Sequence, residues 1–427
     1  MARRPCLLRN YPHWDRMAAR AANALGESGC QSGDLIAITA HPNWQTICLL
    51  FAAWRRSLIA VLIPPHLPKI AEHNLLSTLP LRLIINDGSH LFANPDDEPG
   101  ELDLSSPALV IPTSGSSGPP KWAAFTLSQL FESAETVSHA LSIQPGDRYL
   151  LSLPLHHVGG LGVVLRSLIS QATIVFDDKS LPYPDRILTA RATFGSLVPT
   201  QLYRLLQTDF DSISTRFIIG GAGMPQSLYE KAIARGLDLW FSYGMTEMAS
   251  CVFLTSNPVW RQQIPFLGSP LPGREAKLLD KGPNEILVRG APLFLGYGYP
   301  IDHPINDWFA TRDVGIYSPE FGFAVTGRKD LQFICGGENI QPEEIECALL
   351  SHPLVEQAVV VPLHDAEFGA KPMAMIQSSA AKSEILSYLS SRLPKHKIPI
   401  ELLDLPSSAN LKPDRRQLTE DINKNYH

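Results

Sequence analysis

Thr113-Ser114-Gly115-Ser116-Ser117-Gly118-Pro119-Pro120-Lys121 is a loop of glycines and hydroxyls placed directly after the apolar run Leu109-Val110-Ile111. Glycine lets backbone N–H groups turn toward one point without a Cβ in the way, and hydroxyls add donors, so the loop suits a phosphate chain. The apolar run reads as a buried strand, and loops at strand ends are where α/β sheets bind ligands. This is not a Walker A loop, which needs Gly-Lys adjacent with Ser or Thr next. Here Pro119 and Pro120 separate Gly118 from Lys121, and Trp122 follows. A plain Ser/Gly/Pro linker is the other reading of the same residues. Far along the chain, Leu411-Lys412-Pro413-Asp414-Arg415 puts one lysine on a late polar segment where no core needs it. The two stretches together point to a nucleotide gripped by one domain and acted on with help from another.

Working outward from the loop, strand-like apolar runs alternate with helical patterns. Strands are expected at 35–39, 58–63, 82–86, 109–111, 173–176, 194–198, 216–219 and 237–242. Helices are expected at 44–56, 200–207 and 226–235. That alternation predicts an α/β fold with mostly parallel sheets and flanking helices. From 285 to 326 the pattern changes to short strands with Gly and Pro turns, a small β subdomain. Gly327-Arg328-Lys329-Asp330 then marks a boundary. Residues 1–326 are expected to form the large domain and 327–330 a hinge. Residues 331–427 are expected to form a small mobile α+β domain, with strands at 355–362 and 372–377. Its first helix opens with Pro342 and carries Glu343, Glu344 and Glu346, a good N-terminus by dipole and proline logic.

The 427 residues, 44% hydrophobic, are ample for a large core and more than one domain. A net charge of −6 leaves no electrostatic footprint for nucleic acid. No signal core follows Arg3-Arg4, and Arg55-Arg56 split the most apolar stretch into runs too short to span a bilayer. Cys6, Cys30, Cys48, Cys251, Cys335 and Cys347 are scattered without a Cys-x-x-Cys, which argues against zinc or a disulfide framework. The expectation is a cytoplasmic protein that is not integral to a membrane. Its oligomeric state is left open, a homo-oligomer included.

Four further groups carry chemistry. In Ser242-Tyr243-Gly244-Met245-Thr246-Glu247 a strand end presents a ring that could stack on adenine and a carboxylate that could hold Mg²⁺ bridging phosphates. A strand end with a solvated glutamate is the plainer reading. Gly220-Gly221-Ala222 offers backbone without bulk for a flat base, or a tight turn. Asp313 could accept both ribose hydroxyls, or cap a turn. Arg166 sits alone in the apolar run 158–169, sharing a helical face with Gly159, Gly162 and Val163. A buried arginine needs an anion, either a ligand or a structural partner. His156-His157 do not suit one metal ion, since adjacent residues on a strand point oppositely; one histidine lining a pocket fits better. No Ser-His-Asp or Cys-His arrangement emerges, so an enzyme-bound acyl group is not favoured.

These pieces, together and in this order, make the chain resemble the adenylate-forming superfamily of acyl-CoA synthetases, peptide-synthetase adenylation domains and luciferases. The resemblance runs over essentially the whole chain. It implies an AMP-forming acid–CoA ligase that uses ATP, Mg²⁺ and coenzyme A. It places the phosphate loop on Thr113, Ser114, Gly115, Ser116, Ser117, Gly118 and Lys121, and the adenine segment on Gly220, Gly221 and Ala222. Tyr243 and Gly244 fall on the nucleotide motif, with Thr246 and Glu247 catalytic and Glu247 toward the metal. Asp313 and Arg328 contact the nucleotide, and His157, Arg166 and Gly244 bind the acid. Asp330 is the hinge, Gly336 and Gly337 line a CoA channel, and Lys412 is the catalytic lysine. Leu151-Ser-Leu-Pro-Leu-His-His-Val158 and Cys335-Gly-Gly-Glu-Asn-Ile-Gln-Pro-Glu-Glu-Ile345 resemble the subgroup that ligates 2-succinylbenzoate to CoA in menaquinone biosynthesis. Another aryl- or acyl-CoA ligase, an adenylation enzyme loading a carrier protein, and a nucleotide-binding sensor are the alternatives. The chain departs from the pattern at Asn410-Leu411, where Ser-Gly is usual, and at His156, where an aromatic is common.

Overall fold

A computed structural model describes residues 3–5, 11–93, 101–113, 121–210, 212–279, 284–301, 303–305, 307–365, 367–406 and 414–426. Ser114, Gly115, Ser116, Ser117, Gly118 and Lys412 lie outside the described residues.

Two sheets make the body of the N-terminal part. One holds Leu81–Ile85, Leu35–Thr39, Ile59–Ile63 and Pro107–Thr113 as parallel neighbours, extended antiparallel by Lys121–Thr126, Gly296–Tyr297 and His303–Pro304. The other runs Thr173–Phe176, Arg148–Leu151, Phe194–Leu197, Arg216–Ile219 and Asp238–Met245 in parallel, and Ser250–Thr255 closes it antiparallel. One apolar core runs through both sheets and the helices between them. Helix Trp44–Arg55 is buried at every position from Thr46 to Trp54, which is why its sequence shows no polar face. Its first turn is capped by Asn43, whose Oδ1 accepts from the Thr46 N–H at 2.9 Å.

The expected strands at 35–39, 173–176 and 216–219 stand at those limits, and the run around Arg166 is the helix Val158–Ile169. Parallel pairing does not extend to the third sheet, which is antiparallel throughout: Val259–Arg261, Ile264–Phe266, Gly322–Arg328, Phe309–Ser318, Glu285–Gly290 and Arg274–Leu278. This β region begins well before 285. Its first strands are three residues long, too short to show an alternating pattern. Its strand Gly322–Arg328 runs into the segment read as a hinge.

The C-terminal part has its own sheet of Glu338–Ile340, Phe333–Cys335, Gly369–Ser378, Val355–Asp365 and Leu402–Asp404. Helix Pro342–Leu350 packs on one face over Ile340, Ala374 and Ile376, and helix Arg415–Asn425 on the other through Ile422. The two parts meet beside Gly327-Arg328. Gln341 Nε2 donates to Arg328 O at 2.9 Å, and its side chain occupies the space a Cβ at Gly327 would need. Among the described residues no helix is long and apolar enough to cross a membrane, and Cys30, Cys48, Cys251, Cys335 and Cys347 form no disulfides.

Candidate nucleotide and acyl site

The strand Asp238–Met245 carries Tyr243 and Gly244 to the edge of the second sheet, and a 3₁₀ turn, Thr246–Met248, follows. Pairing with the next strand slips between Tyr243 and Gly244. A Cβ at Gly244 would lie 2.1 Å from Ser250 O, so no other residue allows this approach. The slip turns Tyr243 and Glu247 toward the first and third sheets. Tyr243 donates its hydroxyl to Asp313 Oδ2 at 2.6 Å. Glu247, 9% exposed, accepts on Oε1 from the Tyr297 hydroxyl. Its main-chain oxygen accepts from Phe294 N–H at 2.8 Å.

The residues that flank the loop expected to hold phosphates form an antiparallel hairpin stem. Thr113 pairs with Lys121, and Thr113 Oγ1 donates to Lys121 O at 3.2 Å. Lys121 Nζ is exposed and stands 5.0 Å from the centre of the Tyr297 ring. Gly220, Gly221 and Ala222 follow the end of the neighbouring strand Arg216–Ile219, with Gly221 and Ala222 exposed.

Asp313 accepts from Tyr243 on one oxygen and from Arg328 Nη1 on the other, at 3.2 Å. Burial still leaves its carboxyl above the usual range; the tyrosine hydroxyl and Arg328 pull the other way. Burial, with the Asp313 charge beside it, holds the Tyr243 phenol well above its ordinary value. Two bonds to Asp330 keep the Arg328 guanidinium firmly protonated. Past Asp330, Gly336 and Gly337 form the turn between Phe333–Cys335 and Glu338–Ile340 with φ of +59° and +88°. Gly336 N–H donates to Phe368 O at 2.9 Å, and nothing stands within 4 Å of where a Gly337 Cβ would be.

Behind the nucleotide motif, Arg166 is 2% exposed in helix Val158–Ile169. Its Nη2 donates to Ser250 Oγ at 2.7 Å and Nη1 to the Tyr149 hydroxyl at 3.4 Å, while Nε has no partner. No carboxylate of the described residues pairs with it, so the structural salt bridge is absent. Arg166 borders a narrow cavity walled by Leu130, Val158, Leu161, Leu165 and Ala249, with Ser133 its hydroxyl. A second arginine sits behind that wall. Arg274, 6% exposed, donates to Ser133 Oγ at 3.2 Å, and its Nε also lacks a partner. Burial, with a contribution from Arg166, lowers its pKa to about 10. His157 precedes the helix and is exposed, yet desolvation depresses its pKa. His156 packs against it at 4.3 Å between ring centres, with Nδ1 buried and unpartnered; burial lowers its pKa to about 4.

Residues 72–298 match the AMP-binding enzyme family, and residues 344–412 match the AMP-binding enzyme C-terminal domain. The chain belongs to the AMP-binding enzyme family. The 2-succinylbenzoate–CoA ligase of Salmonella typhimurium is 32% identical over 95% of this chain and 90% of its own. That of Escherichia coli is 32% identical over 96% and 92%. In three dimensions the chain is similar to an arginine-to-lysine variant of E. coli MenE with bound OSB-AMS (TM-score 0.82, 29% identity, 97% of this chain and 93% of that one). It is likewise similar to Bacillus subtilis MenE in complex with the acyl-adenylate intermediate OSB-AMP (TM-score 0.84, 26% identity, 98% of each).

As an AMP-binding enzyme the chain needs a place for a magnesium nucleotide. Among the described residues no group of three or more His, Cys, Asp or Glu gathers to cage a metal. One buried carboxylate, Glu247, with one oxygen committed to Tyr297, fits an ion that takes one or two carboxylates and completes its shell with phosphate and water. Tyr297, Arg274, Tyr149 and Ser250 belong to the site's surroundings and were not singled out from sequence.

Proposed function

We propose that the chain is an ATP-dependent acid–CoA ligase that activates 2-succinylbenzoate and passes it to CoA, a cytoplasmic step of menaquinone biosynthesis. The observation that carries the choice of acid is Arg166, a buried guanidinium with no carboxylate partner beside an apolar cavity next to the nucleotide motif. A diacid fits it, with one carboxylate to activate and one to anchor. The space beside Arg166 is small, so the anchoring carboxylate would replace the contact with Ser250 rather than add to it. His157 and Gly244 would line the path of the acid.

In the first half-reaction a carboxylate oxygen attacks the α-phosphorus of ATP, and pyrophosphate leaves. The adenine would lie between Gly220-Gly221-Ala222 and Tyr243, with the ribose on Asp313 and Arg328. Residues 113–121 would hold the outer phosphates, with Thr246 beside them. Glu247 would hold Mg²⁺, which would supply positive charge against the phosphates. Lys412 would stabilise the two anions as they approach, in a water-poor site. In the second half-reaction the CoA thiol attacks the acyl carbonyl and AMP leaves. Rotation of the C-terminal part about Asp330 would withdraw Lys412 and bring Gly336-Gly337 to the thiol's path.

A panel of carboxylic acids with ATP and CoA, read by release of AMP and pyrophosphate, tests this. 2-Succinylbenzoate should turn over at least tenfold faster than benzoate or a fatty acid. ATP binding without AMP release for any acid would overturn the reading in favour of a nucleotide sensor.

A further inference from the structure

The short strand Gly296–Tyr297 ties together three parts of the nucleotide site. It pairs antiparallel with the strand that leaves the phosphate loop, Tyr297 opposite Ala123. The Tyr297 ring lies under Lys121 Nζ at 5.0 Å, within cation–π range. Its hydroxyl donates to Oε1 of Glu247. Phe294 packs edge-on against the ring at 4.8 Å and Phe309 at 6.4 Å, which fixes the ring independently of the hydroxyl.

A carboxylate held this way has one oxygen spent and one to offer. We propose that Tyr297 is a positioning residue for the magnesium nucleotide: it orients Glu247 to present Oε2 alone, and keeps the Lys121 ammonium beside the same phosphates. The proposal rests on the acid–CoA ligase reading, but concerns a residue that reading does not use. Tyr297 touches neither the acid nor the adenylate in this arrangement; it acts through Glu247 and Lys121.

Tyr297→Phe removes the hydroxyl and leaves the ring, its packing and the contact with Lys121. Losing a group that orients a metal ligand typically costs about 10–100-fold in metal affinity. The Mg²⁺ concentration for half-maximal ATP–pyrophosphate exchange should rise about tenfold in the variant. The Mg²⁺ needed for ATP to raise the melting temperature should rise by the same factor, a readout independent of turnover. Thioester formation from pre-made acyl adenylate and CoA uses neither Mg²⁺ nor pyrophosphate and should fall far less. In a Glu247→Gln background, Tyr297→Phe should add little, because the two act as one unit. An unchanged Mg²⁺ requirement, or equal loss in both half-reactions, would overturn the assignment and leave Tyr297 a packing residue. If the wild-type chain shows no Mg²⁺-dependent stabilisation by ATP, the functional reading falls and the proposal with it.

Discussion

Arg328 grips the carboxylate of Asp330 with two hydrogen bonds, Nε to Oδ1 at 2.9 Å and Nη2 to Oδ2 at 3.0 Å. The same guanidinium reaches Asp313 through Nη1. One cation thus links the carboxylate proposed for the ribose to the residue proposed as hinge. Two substitutions separate the grip from the hinge. Asp330→Ala removes the grip and leaves the backbone free. Asp330→Pro also fixes φ near −65°. The ratio of adenylation to thioester formation should shift on the order of tenfold in the proline variant and little in the alanine variant. Equal loss of both half-reactions in a folded Asp330→Pro protein would remove hinge control.

Arg166→Met tests the anchoring subsite. Hydrogen bonds to a charged group are worth about 1.5–3 kcal/mol, so KM for the diacid should rise roughly 10- to 100-fold. KM for ATP should stay nearly unchanged. Replacing a buried cation that lacks a carboxylate partner with an apolar chain of similar volume is often neutral or stabilising, so the melting temperature of the unliganded protein should not fall. A large loss of stability with an unchanged KM would make Arg166 a structural residue.

The His156 imidazole makes a pH prediction. Its pKa is about 4 in the fold against 6.5 for the ordinary side chain. Between those values the unfolded chain binds the proton and the folded chain does not. Stability therefore falls as pH drops from 6.5 toward 4. His156→Phe, which restores an aromatic ring, should remove up to about one proton from that slope. His157, shifted in the same direction, would retain part of it. Urea melts at steps of pH from 7 to 4.5 read the slope, and a variant with the same slope would show that His156 is solvated.

Residues whose signal is local were legible. Arg166 stood out as the one charge in an apolar run, and the helix it was read on is the helix observed. Tyr243 lies near the end of a strand and Glu247 just past it, and a strand end is visible in sequence. Tyr297 was not legible because its hydroxyl answers a carboxylate 50 positions away, and nothing in Gly296-Tyr297-Gly298-Tyr299 says which ring turns inward. Arg274 was missed for another reason. It opens Arg-Glu-Ala-Lys-Leu, where alternation sets it on the inward face with Ala276 and Leu278, but nothing local shows that its partner is the Ser133 hydroxyl, 141 positions back. Pairing between strands far apart in sequence decides such cases, and local pattern does not carry it.

Lys412 is the residue on which the proposed division of labour rests. The described residues on either side of it are tied to the C-terminal part. Leu405 N–H donates to Ile376 O at 2.8 Å on one side. On the other, Arg415 pairs with both oxygens of Glu346, at 2.6 and 3.0 Å, and donates to Val360 O. On the proposed reading, Lys412 would reach ATP in only one orientation of that unit. Its ammonium would neutralise charge as a carboxylate and a phosphate approach; losing one such donor costs about 10²–10³ in rate. Lys412→Ala should lose acyl-adenylate formation by that factor. Given pre-made acyl adenylate and CoA, the same variant should form thioester at close to the wild-type rate, because AMP is then the leaving group and no second anion approaches. Glu346→Gln loosens the Arg415 anchor and should reproduce the pattern in weaker form. Adenylation at the normal rate by Lys412→Ala would place the lysine in solvent and assign the charge neutralisation to Lys121 and Arg328 instead.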